Sequence, residues 1–255
     1  MCIRDSDIDP HLFMTDDYGE TWTNITGNLP GGSLYVVAED LVNPDLLFVG
    51  SEVGLYFSVD RGATWDYFMN GLPTVPVHDL LIHPRDMDLI AGTHGRGAWI
   101  AENITPLQQL TPEVMESDLT LLEIRPEVQW LTTYEFSWTT DKRFYADNPP
   151  TGSTIPFYAA DGGGSGTIEI LDIEGDVVRT IDVDVETGLN TVFWDHRGDP
   201  PPMPDFPENV PQRFRQQRRA PLVAPGQYLV RMTVGEDVQT TILVIEQDKP
   251  GYRGR

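Results

Sequence analysis

The chain has 255 residues, with 40 acidic against 17 basic side chains and a formal net charge of −23. That excess opposes nucleic-acid binding, which needs Lys and Arg to neutralise phosphates, and it favours solubility without naming a partner. No apolar run approaches the roughly 18 residues of a membrane span, and the single cysteine, Cys2, falls in the first six residues, read below as an artefact, so a disulfide framework, thiol catalysis and Cys-ligated zinc are not expected.

In chain order, Met1-Cys2-Ile3-Arg4-Asp5-Ser6 equals the translation of a transposase adapter sequence, so residues 1–6 are read as an artefact outside the fold. Thr15-Asp16-Asp17-Tyr18-Gly19-Glu20-Thr21-Trp22 then recurs 43 positions later as Ser58-Val59-Asp60-Arg61-Gly62-Ala63-Thr64-Trp65. Both fit S/T-x-D-x-G-x-T-W. The carboxylates of Asp17 and Asp60 suit acceptance of backbone N–H bonds across a tight turn, and Gly19 and Gly62 supply positive φ. Thr15, Ser58, Thr21 and Thr64 add local hydroxyl bonds, while Trp22 and Trp65 are expected to be buried in equivalent places between sheets.

The repeat extends beyond the turn. Gly54-Leu55-Tyr56-Phe57-Ser58 recurs as Gly97-Ala98-Trp99-Ile100-Ala101, and Asn43-Pro44 through Ser51 answers to His83-Pro84 through Thr93. One period predicts four short strands, at Leu34–Ala38, Leu46–Gly50, Leu55–Ser58 and Thr64–Phe68, each bounded by turn residues. Four strands in a period of about 40–45 residues define a β-propeller blade, and about two and a half blades fit into residues 7–104. The last blade lacks the eight-residue turn and carries Gly92-Thr93-His94-Gly95-Arg96-Gly97 instead. Because closure takes about four to eight blades, further N-terminal blades are expected partners.

Residues 105–152 are read as a connector, with Thr105 capping and Pro106 opening a helical turn and Leu119–Ile124 a strand leaving the propeller. Residues 153–248 predict a β-sandwich, with strands at Ser153–Ala159, Thr167–Asp172, Val177–Val185, Leu189–Asp195, Gln227–Val234 and Thr240–Glu246. A Pro-rich insertion at 197–223 interrupts it and gathers Arg213, Arg215, Arg218 and Arg219. Trp194 and Tyr228 are assigned to the sandwich core. The tripeptide Arg197-Gly198-Asp199 spells an integrin motif but is too short to be specific.

The repeated turn resembles the Asp-box, the BNR repeat of sialidases, sortilins and related propellers. The second half resembles the Ig-like domain of flagellar hook-capping proteins, through Ile170-Leu171-Asp172, Gly188 to Asp195 ending in Trp194-Asp195, and Ala224-Pro225-Gly226-Gln227-Tyr228. The whole is therefore read as all-β: a partial Asp-box β-propeller followed by an Ig-like β-sandwich. This order resembles large exported bacterial proteins labelled glycosyl hydrolase or sortilin-like. The resemblance implies a secreted, periplasmic or cell-surface binding or scaffold module for glycan or protein ligands, with no cofactor or metal.

Two rivals stay open: a glycoside hydrolase of sialidase or xyloglucanase type with its carboxylates mostly in other blades, and a sortilin-like peptide binder. The catalytic residues are unassigned, and this stretch alone is not expected to be catalytic, because a glycosidase needs two carboxylates facing each other across the sugar. Ligand binding is assigned to Glu52, His94 and Arg96, in loops between second and third strands, on the face opposite the Asp-box turns. Arg96 suits a carboxylate or sulfate. His78, His83 and His196 are assigned structural roles.

Overall fold

The computed structural model describes residues 9–68, 71–130, 151–202 and 220–248. The adapter-like residues 1–6 and the Arg213–Arg219 cluster lie outside the described residues. The chain divides into two compact units at Glu113/Val114. The fold is all-β, with propeller-type sheets in the first unit and a sandwich in the second.

The first unit opens with the hairpin β1 (Phe13–Met14) and β2 (Thr23–Asn24), whose connection is the first Asp-box. A four-stranded antiparallel sheet follows, in the order β3 (Leu34–Glu39), β4 (Leu47–Ser51), β5 (Leu55–Ser58) and β6 (Asp66–Tyr67). The second Asp-box joins β5 to β6. The next sheet has three strands, β7 (Val77–Ile82), β8 (Leu89–Thr93) and β9 (Gly97–Ala101). The expected strand Thr64–Phe68 shortens to two residues because Thr64 is taken up by the Asp60 turn.

Burial follows from this stacking. Leu46, Phe48 and Leu55 of one sheet share a core with Val77, Leu80, Ile82, Leu89 and Ala91 of the next. Removing apolar surface of this kind from water contributes about 25 cal/mol per Å². A short helix, α1 (Thr105–Gln108), returns to the first full blade. There the Gln108 amide donates to both carboxylate oxygens of buried Asp40, at 2.9 and 3.0 Å. Thr105 does not cap this helix. The cap residue is Ile104, and Asn103, at φ 54°, accepts the Thr105 N–H and hydroxyl through its side chain.

A second short helix, α2 (Pro112–Met115), spans the division between the units. In the second unit, β10 (Leu119–Leu121), β12 (Ser153–Ala159) and β15 (Gly188–Trp194) form one sheet, in the order β10-β12-β15. The other has the order β11-β17-β16-β13-β14, with β11 at Glu127–Gln129, β13 at Gly164–Leu171, β14 at Val177–Val185, β16 at Gly226–Val234 and β17 at Asp237–Gln247. Leu119–Leu121 is thus a strand of the sandwich, paired with Phe157–Ala159, and not one leaving the propeller. The β11 strand has no counterpart among the strands predicted from sequence, and it runs parallel to β17.

Alternate residues of both sheets meet in one core that includes Ile155, Phe157, Ile168, Ile170, Val230, Met232 and Leu243. Trp194 and Tyr228 lie in it edge to face, with ring centroids 5.7 Å apart. The Trp194 indole N–H donates to the Arg197 carbonyl, and the Tyr228 hydroxyl donates to the Ala224 carbonyl. Each polar tip is thereby satisfied locally. Arg197 also donates to the Ala220 carbonyl at 2.6 Å and pairs with Leu222, and the Asp199 N–H donates to Val178. The Arg197-Gly198-Asp199 stretch is therefore laced to the sandwich rather than projected as a recognition loop.

Candidate functional site

The two Asp-boxes share one geometry. The N–H of Gly19 donates to the Thr15 hydroxyl at 2.8 Å, as that of Gly62 does to Ser58. Asp17 accepts the Thr21 N–H and hydroxyl at 2.8 and 2.6 Å, and Asp60 accepts the same pair from Thr64 at the same distances. The residues before the glycines, Tyr18 and Arg61, also have left-handed φ, 59° and 58°. Thr21 and Thr15 hold the Asp17 carboxyl down at about 2. Partial burial pushes Asp60 up, but the bonds from Thr64 and Ser58 outweigh it and keep that carboxyl below the usual range. Every carboxylate oxygen here accepts a donor from within its own turn, so both acids hold the turn together.

The boxes differ in what covers them. Trp65 is 3% exposed, whereas Trp22 is 61% exposed, so the two indoles are not equivalently buried. The reason is the segment Ile25–Leu29. It packs on Trp65, where the Trp65 indole N–H donates to the Ile25 carbonyl at 2.9 Å. Trp22 has no such segment among the described residues, and its indole N–H turns back to the Gly19 carbonyl at 3.2 Å.

At the other end of the same sheets, the loops carrying the predicted ligand residues are built alike. The Glu52 N–H donates to Ser33 and the His94 N–H to Pro76, both at 2.9 Å. The Ser51 hydroxyl closes its loop on the Gly54 carbonyl, as Thr93 does on Gly97. Glu52 and His94 therefore hold corresponding positions in successive sheets, and both are exposed. Since β5 separates this end from the Asp-box by four extended residues, the two ends lie on the order of 10 Å apart.

A bulge in each of two strands completes this end. The first strand of each sheet breaks register by one residue, between Leu34 and Val36 in β3 and between Val77 and Asp79 in β7. Such bulges re-aim side chains. The extra residues are Tyr35 and His78, whose rings lie 4.3 Å apart, and His78 stacks in turn on His94 at 5.5 Å with an interplanar angle of 26°. Tyr35, His78 and His94 thus form an exposed row of three rings. Of the predicted residues, His94 joins this row, while no hydrogen bond links it to Glu52 or Arg96 among the described residues. Arg96 is exposed two residues on from His94. His78, assigned a structural role from sequence, sits at the centre of the row. His83 does serve structure, accepting the Asp86 N–H.

Among the described residues no group of three His, Cys, Asp or Glu side chains is placed to hold a metal ion, and no helix is long and apolar enough to cross a membrane. The class defined by this arrangement is an all-β protein with propeller-type blades, an exposed ring row on one end of them, and a β-sandwich unit.

No protein-family model matches the chain, and no curated protein matches it. Solved structures similar to it include the extracellular domain of a hybrid two-component system from B. thetaiotaomicron, at 11% identity and a TM-score of 0.25. Another is the extracellular domain of a one-component system of the same organism, at 11% identity and 0.23. They match 91% and 94% of this chain, which spans only 27% and 30% of theirs.

Proposed function

We propose that the chain is part of an exported Asp-box propeller protein that binds glycan or protein ligands on the blade end carrying Tyr35, His78 and His94. On this reading residues 7–104 are blades, residues 153–248 an Ig-like sandwich, and the setting is extracytoplasmic. The observation that carries the proposal is the ring row itself. Aromatic and imidazole faces offer stacking surface to the C–H face of a sugar or to a peptide side chain. Glu52 and Arg96, exposed in the two loops alongside, supply an acceptor and a planar double donor that fix orientation. The Asp-box acids take no part, since their oxygens are engaged in the turns.

The test is to screen the chain against acidic and neutral oligosaccharides and short peptides, then to measure Tyr35→Ala, His94→Ala and Arg96→Ala by calorimetry. Loss of about tenfold or more in affinity with either ring variant supports the assignment. Unchanged affinity in all three variants, with the fold intact, overturns it. Turnover of a bound oligosaccharide in the same samples moves the protein to the glycoside hydrolases.

A further inference from the structure

The covered box shows how an Asp-box is recognised by a neighbouring segment. The Asn28 side chain grips one residue at both ends: its amide donates to the Trp65 carbonyl at 2.9 Å, and its oxygen accepts the Trp65 N–H at 2.6 Å. Three residues earlier, Ile25 supplies the carbonyl for the indole. Between them the backbones touch. A Cβ at Gly27, which has φ 53°, would stand 2.7 Å from the Ala63 carbonyl oxygen, and a Cβ at Gly62 would stand 2.8 Å from the Ile25 Cβ and 3.1 Å from the Ile25 carbonyl oxygen. Leu29, buried beside Trp65, ends the contact.

The first box presents the same surface uncovered. Thr15, Asp17, Gly19 and Thr21 hold the geometry of their counterparts, so the surface is formed before anything binds it. Gly19 through Trp22 are all exposed. A Cβ at Gly19 would meet only its own box's Trp22 at 3.7 Å, where its counterpart Gly62 abuts a partner. An indole 61% exposed on a preformed turn is costly surface to leave in water.

We infer that Trp22 and its box are a docking site for a segment of the form Ile-x-Gly-Asn-Leu, contributed by a further repeat unit. The Asn of that segment pairs with the Trp22 N–H and carbonyl, and its Ile carbonyl takes the indole N–H now turned to Gly19. A second copy of this chain is not the donor, because its own Ile25–Leu29 is engaged on Trp65. The inference is independent of the ligand-binding proposal, which concerns the opposite end of the sheets.

The experiment adds a capped peptide with the sequence of residues 23–30 of this chain to the intact protein, labelled with nitrogen-15. The Trp22 indole N–H resonance is expected to shift saturably while that of Trp65 stays in place. Replacing the peptide's second Asn, the counterpart of Asn28, by Ala should weaken binding about tenfold or more, since both hydrogen bonds go at once. A Trp22 resonance unmoved at millimolar peptide overturns the inference. So does equal binding of the Ala peptide, or a peptide-induced shift of Trp65 alone. The Trp22→Ala protein, whose lost side chain is mostly in solvent, should fold and show no peptide-dependent shift elsewhere in the box.

Discussion

The hydroxyl of Ser153 lies 2.7 Å from Nε2 of His196, with both residues wholly buried in the sandwich. Nδ1 of the same ring is buried without a partner among the described residues, and the residue itself takes a left-handed φ of 55°. Burial pushes the imidazole below its ordinary value of 6.5, with the Asp195 carboxylate offsetting part of that shift. The folded state thus holds this histidine neutral, and the unfolded chain takes up the proton first.

The sandwich should consequently lose stability on acidification. The contribution is full above pH 6.5, the ordinary value, and falls as pH drops below it. Urea midpoints of the sandwich transition should decline from about pH 7.5 to about pH 5. A His196→Asn variant, whose side chain tolerates the left-handed backbone, should show a shallower decline. Parallel slopes in the two proteins would assign the acid sensitivity to other groups.

Asp60→Ala should destabilise the first unit by about 2–3 kcal/mol, because it strands the N–H and hydroxyl of Thr64 and the hydroxyl of Ser58. Asp17→Ala removes the same bonds from an uncovered turn and should perturb the global transition less. Carbon-13 titration of the Asp17 carboxyl should give a value of about 2. Since the folded value lies below the unfolded one, the turn's contribution is present above the usual carboxylate range and is lost as pH falls towards 2.

Gly27→Ala should cost about 2 kcal/mol or more, since a Cβ there meets the Ala63 carbonyl as well as requiring positive φ. Gly95→Ala, at φ 85° with nothing within 4 Å of the added carbon, bears the backbone strain alone, and about 1 kcal/mol is expected. The difference between the two midpoints measures the close approach. Equal losses would show that Ile25–Leu29 does not press on the second box in solution.

Trp194→Ala should cost about 3–5 kcal/mol, the usual loss for a large core aromatic, because Trp194 is 1% exposed and its indole N–H is bonded. Trp22→Ala should cost less than about 1 kcal/mol in the same measurement.

Much of this architecture is written in short-range pattern. The boxes are legible because their Thr, Ser, Asp and Gly residues each have a partner within four positions, so spacing alone determines the turn. The sandwich strands from Ser153 onward are legible because alternation reports which face is buried. What escaped depends on distant partners. Glu127-Val128-Gln129 is short and buries its polar Gln129 while the neighbouring Trp130 is exposed, and it becomes a strand by pairing with Ile245–Gln247. Trp22 and Trp65 sit in one motif, yet their exposure is decided by a segment lying outside it. At the candidate site, loop position alone points to Glu52 and His94. Tyr35 and His78 do not follow from sequence, because a bulge inserts one residue without altering residue type, and the apolar run Leu34 to Ala38 carries no mark of it.

That extra residue in β3 and β7 has an evolutionary corollary. A side chain outside the ladder's alternation is neither committed to the core nor bound to its neighbours' register. Tyr35 and His78 already differ in chemistry while the strands around them keep the same pairing. The position is therefore a variable letter in an otherwise fixed frame, at which one blade after another can change what it touches while the sheet beneath stays as it is.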